Sequence, residues 1–171
     1  MSGTTKHAWL GLGGNIGDVK STMIEALRCL SENGDVTVTA VSPIYKTPPW
    51  GVEDQAWFLN CCVEISTRLS PEELLELCQF AERQGKRERV QRWGPRTIDI
   101  DIVAFEGVRQ TEQRLTIPHP RATERAFVII PLADITPDLL LDGTPVRQWL
   151  PQINNEGVEL AHRADEWWAA S

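Results

Sequence analysis

The run Arg92-Trp93-Gly94-Pro95-Arg96-Thr97-Ile98-Asp99-Ile100-Asp101-Ile102 restricts this chain more than any other stretch. A basic, aromatic Gly-Pro loop passes directly into a strand. Side chains two apart on a strand point to the same side, about 6–7 Å from one another. Ile98, Ile100 and Ile102 therefore fill one face, while Asp99 and Asp101 share the other. Two carboxylates so placed can hold a pair of divalent ions about 4 Å apart. The arginines just upstream supply what a polyphosphate needs, so Mg-nucleotide chemistry is the expectation. The plainer reading is a solvated strand face with Arg–Asp ion pairs. Aspartate is a poor strand former, and plain ion pairing does not explain an irregular Trp93-Gly94-Pro95 loop among the arginines.

The rest of the chain reads as elements built around that strand. His7 to Leu12 form a first strand that ends in Gly13-Gly14-Asn15-Ile16-Gly17, and Asp18 is a good N-cap for the next helix. Met23, Leu27 and Leu30 recur at helical spacing, and Gly34 is expected to stop that helix. Residues 35–46 alternate as one strand, with Val36, Val38, Ala40 and Ser42 on one face, until Thr47-Pro48-Pro49-Trp50-Gly51 breaks it. From Phe58 to Thr67, Leu59, Cys61, Val63 and Ile65 alternate against Asn60, Cys62, Glu64 and Ser66. Ser70-Pro71-Glu72-Glu73 is a capping box with proline at the first helical position. Leu74, Leu77, Cys78 and Ala81 make that helix's buried stripe. The acidic strand spans 97–105, Glu106-Gly107 is a turn, and Leu115 to Pro120 is extended. Phe127 to Leu132 fits a short buried strand or a helical turn, and periodicity does not decide between them. The order β-α-β-β-α-β is the split-βαβ, ferredoxin-like arrangement: an α+β fold with an antiparallel sheet and flanking helices. Residues 161–171 read as a polar C-terminal tail or helical appendage around Trp167-Trp168.

Size and charge narrow the function classes. A chain of 171 residues is most simply one domain with its own core. The longest apolar stretch, Ala126 to Ala133, contains a proline and is far too short to span a bilayer. The first residues lack a signal-peptide core, so a cytoplasmic location is expected. Cys29, Cys61, Cys62 and Cys78 form no C-x-x-C pair and fall in apolar patterns, as small buried hydrophobes do. A net charge of −7 argues against general nucleic-acid binding. Yet Arg83 to Arg125 carry ten basic residues against six acidic ones, a local net of +4 in a chain whose remainder carries −11. Such a segment points to a local anionic ligand or, more plainly, to a solvated charged loop.

Three further motifs carry both a functional and a plain reading. Gly11-Leu12-Gly13-Gly14-Asn15-Ile16-Gly17 lies between a strand and a helix, where dinucleotide folds bind pyrophosphate, but Ile16 stands where G-x-G-x-x-G needs glycine. Positive φ at several positions and close backbone packing explain the turn equally well. His119, fixed between two prolines with Arg114, Arg121 and Arg125 nearby, is either structural or faces an anion. Phe58 and Asn60 share a strand face, so a flat heterocycle can stack on the ring while the amide reads its edge; core packing is the alternative.

In order along the chain, several segments together resemble the signatures of the 6-hydroxymethyl-7,8-dihydropterin pyrophosphokinase family, enzymes of folate biosynthesis. They are Gly14-Asn15-Ile16-Gly17-Asp18, Tyr45-Lys46-Thr47-Pro48-Pro49, Phe58-Leu59-Asn60, Glu82 with Arg87 and Arg89, the run Arg92 to Asp101, and Pro118-His119 with Arg125 and Phe127. The resemblance covers residues 7–150. It implies transfer of the pyrophosphoryl group of ATP to the hydroxymethyl oxygen of the pterin, with AMP released. It implies two Mg²⁺ ions on Asp99 and Asp101, and catalytic Arg87 and Arg96 on the phosphates with His119 and Arg125 beside them. The implied ATP site also takes in Gln79, Glu82, Arg89, Trp93, Ile102, Arg114 and Thr116. The implied pterin lies between Phe58 and Phe127, is read by Asn60, and meets the loop at Thr47, Pro48 and Trp50. Phe58 stands where the family often has tyrosine, and Lys86 where it often has glycine. Residues 1–160 would form a single pyrophosphokinase domain, a monomer acting on ATP and 6-hydroxymethyl-7,8-dihydropterin without nucleic acid or membrane.

The mechanism expected from this is positioning plus electrostatics, with the β-phosphorus attacked and AMP leaving. Asp101 is the candidate acceptor of the substrate hydroxyl proton, and one metal is expected to lower that hydroxyl's pKa. Loops 47–56 and 84–96 are expected to close over the site and exclude water. Two other classes compete. A Mg-dependent phosphohydrolase would share the aspartates and arginines but needs no flat-ring pocket. An RNA-binding module would use the basic segment, against the negative net charge and the missing RNP pattern.

Overall fold

The computed structural model describes residues 4–48, 56–86 and 98–169. β1 (Lys6–Gly14) is followed by α1 (Val19–Glu32), β2 (Val36–Val41), β3 (Ile44–Thr47), β4 (Phe58–Thr67), α2 (Pro71–Lys86) and β5 (Asp99–Phe105). The hairpin β6–β7 (Gln110–Thr111, Thr116–Ile117) and α3 (Ala126–Ile135) come next. The hairpin β8–β9 (Leu140–Leu141, Thr144–Pro145), α4 (Val146–Trp149), β10 (Glu159–His162) and α5 (Ala164–Trp167) complete the chain.

Local chemistry sets these boundaries. The Asp18 carboxylate accepts hydrogen bonds from the Ser21 amide at 3.1 Å and the Ser21 hydroxyl at 2.9 Å. Those bonds start α1 and hold the Asp18 carboxyl below the usual carboxylate range. At the other end Gly34 is not the stop. The helix finishes at Glu32 with Asn33 as an extended C-cap, whose side chain accepts from the Asp35 amide at 2.9 Å and so turns the chain itself. The capping box opens α2 as the sequence predicts: Ser70 and Glu73 exchange hydrogen bonds of 2.9 and 3.1 Å.

One strand reading changes, and one open reading is settled. The region taken as one strand over 35–46 is two strands. A register shift between Val38 and Ala40 places Val41, not Ala40, opposite Val63. Ser42-Pro43 then interrupts the ladder, because proline has no amide hydrogen. Ser42 instead donates its amide to the Cys62 carbonyl and accepts the Cys62 amide on its hydroxyl oxygen, both at 2.9 Å. The undecided stretch 127–132 is helical, within α3, and tolerates Pro131 inside the helix.

The main sheet runs β10-β3-β4-β1-β5, with β2 also paired to β4 and every pair antiparallel. Helices α1 and α2 cover one face. There Leu10 and Leu12 meet Met23, Leu27 and Leu30, with Leu74, Cys78 and the Ile98, Ile100, Ile102 row. Truncating a leucine so buried to alanine costs about 2–5 kcal/mol. The four cysteines are free; Cys61, Cys62 and Cys78 are buried and Cys29 partly so, as small hydrophobes.

The opposite face is covered only in part. Ile129 and Leu132 of α3 pack on Trp9, Cys62 and Val103. Beyond them the face opens into a cleft at Gly11, Gly13, Asn60, Asp99 and Asp101. At the far edge, β10 pairs with β3, and Trp167 is 4% exposed with its indole N–H donating to the Ser42 carbonyl at 2.8 Å. The segment 161–171 thus contains the end of a sheet strand, one helical turn and a buried tryptophan. No helix among the described residues is long and apolar enough to cross a membrane.

Candidate active site

The open end of the sheet is the floor of a cleft of about 710 Å³. Pairing register explains why it is open. Gly13 lies between Asn60 on β4 and Asp99 on β5, and Gly11 lies between Cys62 and Asp101. Directly paired residues share a sheet face, so each aspartate has a glycine rather than a side chain beside it. A β-carbon at Gly13 would stand 2.4 Å from the Asn60 Oδ1, closer than atoms can approach. Close packing therefore requires a glycine here. Of the glycines at the end of β1 and in the following turn, only Gly17 has positive φ.

Asn60 is 8% exposed, and its amide N–H donates to the Thr47 hydroxyl oxygen at 3.2 Å. That bond ties β4 to the end of β3 and fixes the orientation of the amide. Phe58, Thr47 and Pro48 line the same cleft. Phe127, at the start of α3, also lines it, with the Arg125 guanidinium 5.4 Å from its ring centroid. The cleft thus brings two aromatic rings, a buried amide and two carboxylates together.

His119 reaches the cleft from the turn after β7. Its amide donates to the Val103 carbonyl at 2.9 Å, which docks the Pro-His-Pro segment on β5. Its Nδ1 accepts the Arg121 amide at 3.2 Å, which leaves Nε2 as the proton-bearing nitrogen of the neutral ring. Burial lowers its pKa below the ordinary histidine value; Arg125 and Arg121 add to this, and Asp101 opposes it.

A second, smaller cleft of about 220 Å³ adjoins the first. Ile102, Arg114 and Thr116 line it together with Leu75 and Ile100. Asp101 and His119 line both clefts, so one carboxylate and one imidazole form their common wall. On α2, Gln79 and Glu82 lie outside both linings. The Glu82 carboxylate accepts the Ile100 amide at 2.7 Å, giving the edge strand β5 a partner.

The structure therefore gathers Thr47, Pro48, Phe58, Asn60, Asp99, Asp101, His119, Arg125 and Phe127 in one cleft. Trp50, Arg87, Arg89, Trp93 and Arg96 lie outside the described residues, as does most of loops 47–56 and 84–96. The cleft also holds residues that sequence reasoning did not assign: Gly11 and Gly13, Arg121, and Asn154, Glu156 and Val158. The two-residue spacing of Gly11 and Gly13 was the available signal for a bare strip on a strand. Nothing in the pattern of residues 154–158 marks them.

Residues 9–137 match the family model described as 7,8-dihydro-6-hydroxymethylpterin-pyrophosphokinase (HPPK). The 2-amino-4-hydroxy-6-hydroxymethyldihydropteridine pyrophosphokinase of Methylorubrum extorquens is 47% identical over 153 residues, covering 90% of this chain and 97% of its own. The Bacillus subtilis protein of the same name is 45% identical over 153 residues, covering 90% of this chain and 89% of its own. Among solved structures, wild-type Plasmodium falciparum HPPK-DHPS with pteroate superposes with a TM-score of 0.69 at 17% identity, over 87% of this chain. This chain spans 42% of that longer one, and the likeness at this identity speaks to fold.

Proposed function

The chain belongs to the 7,8-dihydro-6-hydroxymethylpterin-pyrophosphokinase family, and on that premise we propose how its two clefts divide the work. The reaction transfers the pyrophosphoryl group of ATP to the hydroxymethyl group of 6-hydroxymethyl-7,8-dihydropterin, in folate biosynthesis. In our reading the larger cleft takes the pterin between Phe58 and Phe127, with Asn60 and the end of β3 at Thr47-Pro48 reading its edge. The smaller cleft takes the nucleoside end of ATP at Ile102, Arg114 and Thr116. The triphosphate then runs over the shared wall, Asp101 and His119. That shared wall is the observation that carries the proposal: among the described residues it is where the two clefts meet, so a phosphate chain from one can reach a hydroxymethyl group in the other.

The chemistry of the wall suits this role. The hydroxymethyl oxygen attacks the β-phosphorus, the bond from that phosphorus to the α–β bridging oxygen breaks, AMP leaves with that oxygen, and in our reading the hydroxyl proton passes to the Asp101 carboxylate. Arg125 and Arg121 place positive charge along the path, and a neutral His119 offers an Nε2–H donor to a phosphate oxygen. Arg87 and Arg96 add to this charge in our reading, with Arg89 and Trp93 beside the nucleotide.

Asp99 and Asp101 fit Mg²⁺. Among the described residues no three acidic, histidine or cysteine side chains gather as a metal-binding group. Two carboxylates are what Mg²⁺ takes from a protein when substrate phosphates and water complete its six positions. Bound there, two Mg²⁺ ions would neutralise charge on the phosphate oxygens. We further read the protein as a cytoplasmic monomer that binds neither nucleic acid nor membrane, in keeping with its negative net charge.

The test is a product assay with ATP, Mg²⁺ and 6-hydroxymethyl-7,8-dihydropterin that resolves AMP from ADP. Pterin-dependent AMP, abolished by EDTA, is the expected result. ADP, or nucleotide breakdown indifferent to pterin, would overturn the two-cleft reading.

A further inference from the structure

We propose that residues 154–158 form a wall of the pterin cleft, and that Gly157 is a positioning residue for pterin binding, acting through Pro48. This rests on the reading of the larger cleft as the pterin site.

Asn154, Glu156 and Val158 line that cleft beside Pro48 and Phe127. They lie beyond residues 9–137, the part of the chain that matches the family model. Gly157 sits among them with φ +83°, a conformation that favours glycine. Its backbone rests on the proline ring: a β-carbon there would stand 3.0 Å from Pro48 Cγ and 3.1 Å from Pro48 Cδ.

The segment is held, so a push at this contact is not simply absorbed. Before Gly157, the Glu156 amide donates to the Asn154 Oδ1 at 2.9 Å. After it, the Val158 amide donates to the Asn155 carbonyl at 3.2 Å. β10 then pairs Glu159 with Lys46 and Leu160 with Tyr45. Trp167 donates to the Ser42 carbonyl at 2.8 Å. The C-terminal segment therefore touches the β3 region at Ser42, at Tyr45 and Lys46, and at Pro48. The residue next to Pro48 is Thr47, whose hydroxyl oxygen accepts from Asn60. Displacing Pro48 disturbs the group that orients the amide proposed to read the pterin.

Gly143 provides the control. Its φ is +78°, and nothing lies within 4 Å of the position of its β-carbon. Gly143→Ala and Gly157→Ala thus both force a non-glycine residue into positive φ, but only the second presses on a neighbour.

The experiment measures steady-state kinetics on the full chain, varying pterin and ATP separately, with thermal melting alongside. Gly157→Ala is expected to raise the pterin KM about fivefold and Gly157→Val more, since small misplacements of binding groups are costly. The ATP KM should stay within about twofold. Gly143→Ala should lower the Tm by a similar amount with neither KM changed. In a Pro48→Ala background the cost of Gly157→Ala should shrink. A pterin KM within about twofold of wild type in Gly157→Ala would overturn the proposal. So would a parallel rise of both KM values, or an undiminished cost in the Pro48→Ala background. Should Gly157→Val not fold, Gly157→Ala decides. Asn60→Ala separates the two levels. Lost pterin affinity there, with normal affinity in the Gly157 variants, sinks the role of Gly157 alone. Normal affinity in both sinks the cleft assignment as well.

Discussion

Asp99 of β5 stands directly opposite Gly13 of β1. The relationship repeats two residues along, with Asp101 opposite Gly11. The carboxylates are therefore accessible because their neighbours have no side chains, a property of the pairing rather than of either strand alone.

Gly13→Ala tests this directly. The new methyl would collide with the Asn60 Oδ1 and force the amide away from Thr47. Loss of one such hydrogen bond is worth about 1 kcal/mol, so pterin affinity should fall by about fivefold to tenfold. Calorimetric titration with the pterin checks it. Unchanged affinity would mean that Asn60 does not depend on this packing.

Asp99→Ala should abolish Mg-dependent ATP binding while circular dichroism stays that of the folded chain. The residue is half-buried on an edge strand whose packed face is carried by Ile98, Ile100 and Ile102. Arg96→Ala should likewise lower turnover by about 100-fold or more with little change in melting temperature, the size seen when a preorganised charge-stabilising group is removed. Unfolding of Asp99→Ala, or full activity of Arg96→Ala, would favour purely structural roles.

His119 should titrate below the ordinary value of about 6.5 when followed by NMR in the metal-free protein. Because the folded state holds the proton less tightly than the unfolded one, its contribution to stability is fully present above that ordinary value. It is lost as pH falls from there towards the depressed pKa. Denaturation midpoints across this window should drop on the acid side in wild type and flatten in His119→Asn. A histidine titrating above its ordinary value would contradict the buried, neutral ring.

Tyr45 is the chain's one tyrosine, so its ionisation can be read without overlap. Burial first, and then its hydrogen bond to the Asp134 carboxylate, raise its pKa well above the usual phenol value. Near-UV absorbance should show no tyrosinate at the pH where a free phenol is half ionised. Asp134→Asn should bring the transition down. An ordinary titration in wild type would mean that β3 and α3 are not joined at this point.

How far the sequence could be read depends on the range of the interaction involved. The α1 cap at Asp18, the capping box at Ser70 and the alternation of β4 are local, and each is visible in a few residues. The helix end at Asn33 was obscured because Gly34 is the commoner stop, and the asparagine's own turn with Asp35 only shows in coordinates. The break at Ser42-Pro43 hinges on pairing with Cys62, about twenty residues away. For the site, Asp99, Asp101, Phe58 and Asn60 share faces by two-residue spacing and could be paired from the sequence. The glycine strip opposite the aspartates and the wall at residues 154–158 could not, because strand register and chain return are long-range properties.

The wall shared by the two clefts has a consequence for how they can be tuned. Whatever one ligand does to the charge or position of Asp101 or His119 alters the lining that the other ligand meets. Thermodynamic linkage then requires the effect to be mutual: the factor by which a bound nucleotide changes affinity for the pterin is the factor by which the pterin changes affinity for the nucleotide. On the proposed division of the two clefts, a substitution at either side chain is expected to change both isotherms, so the two affinities are tuned together.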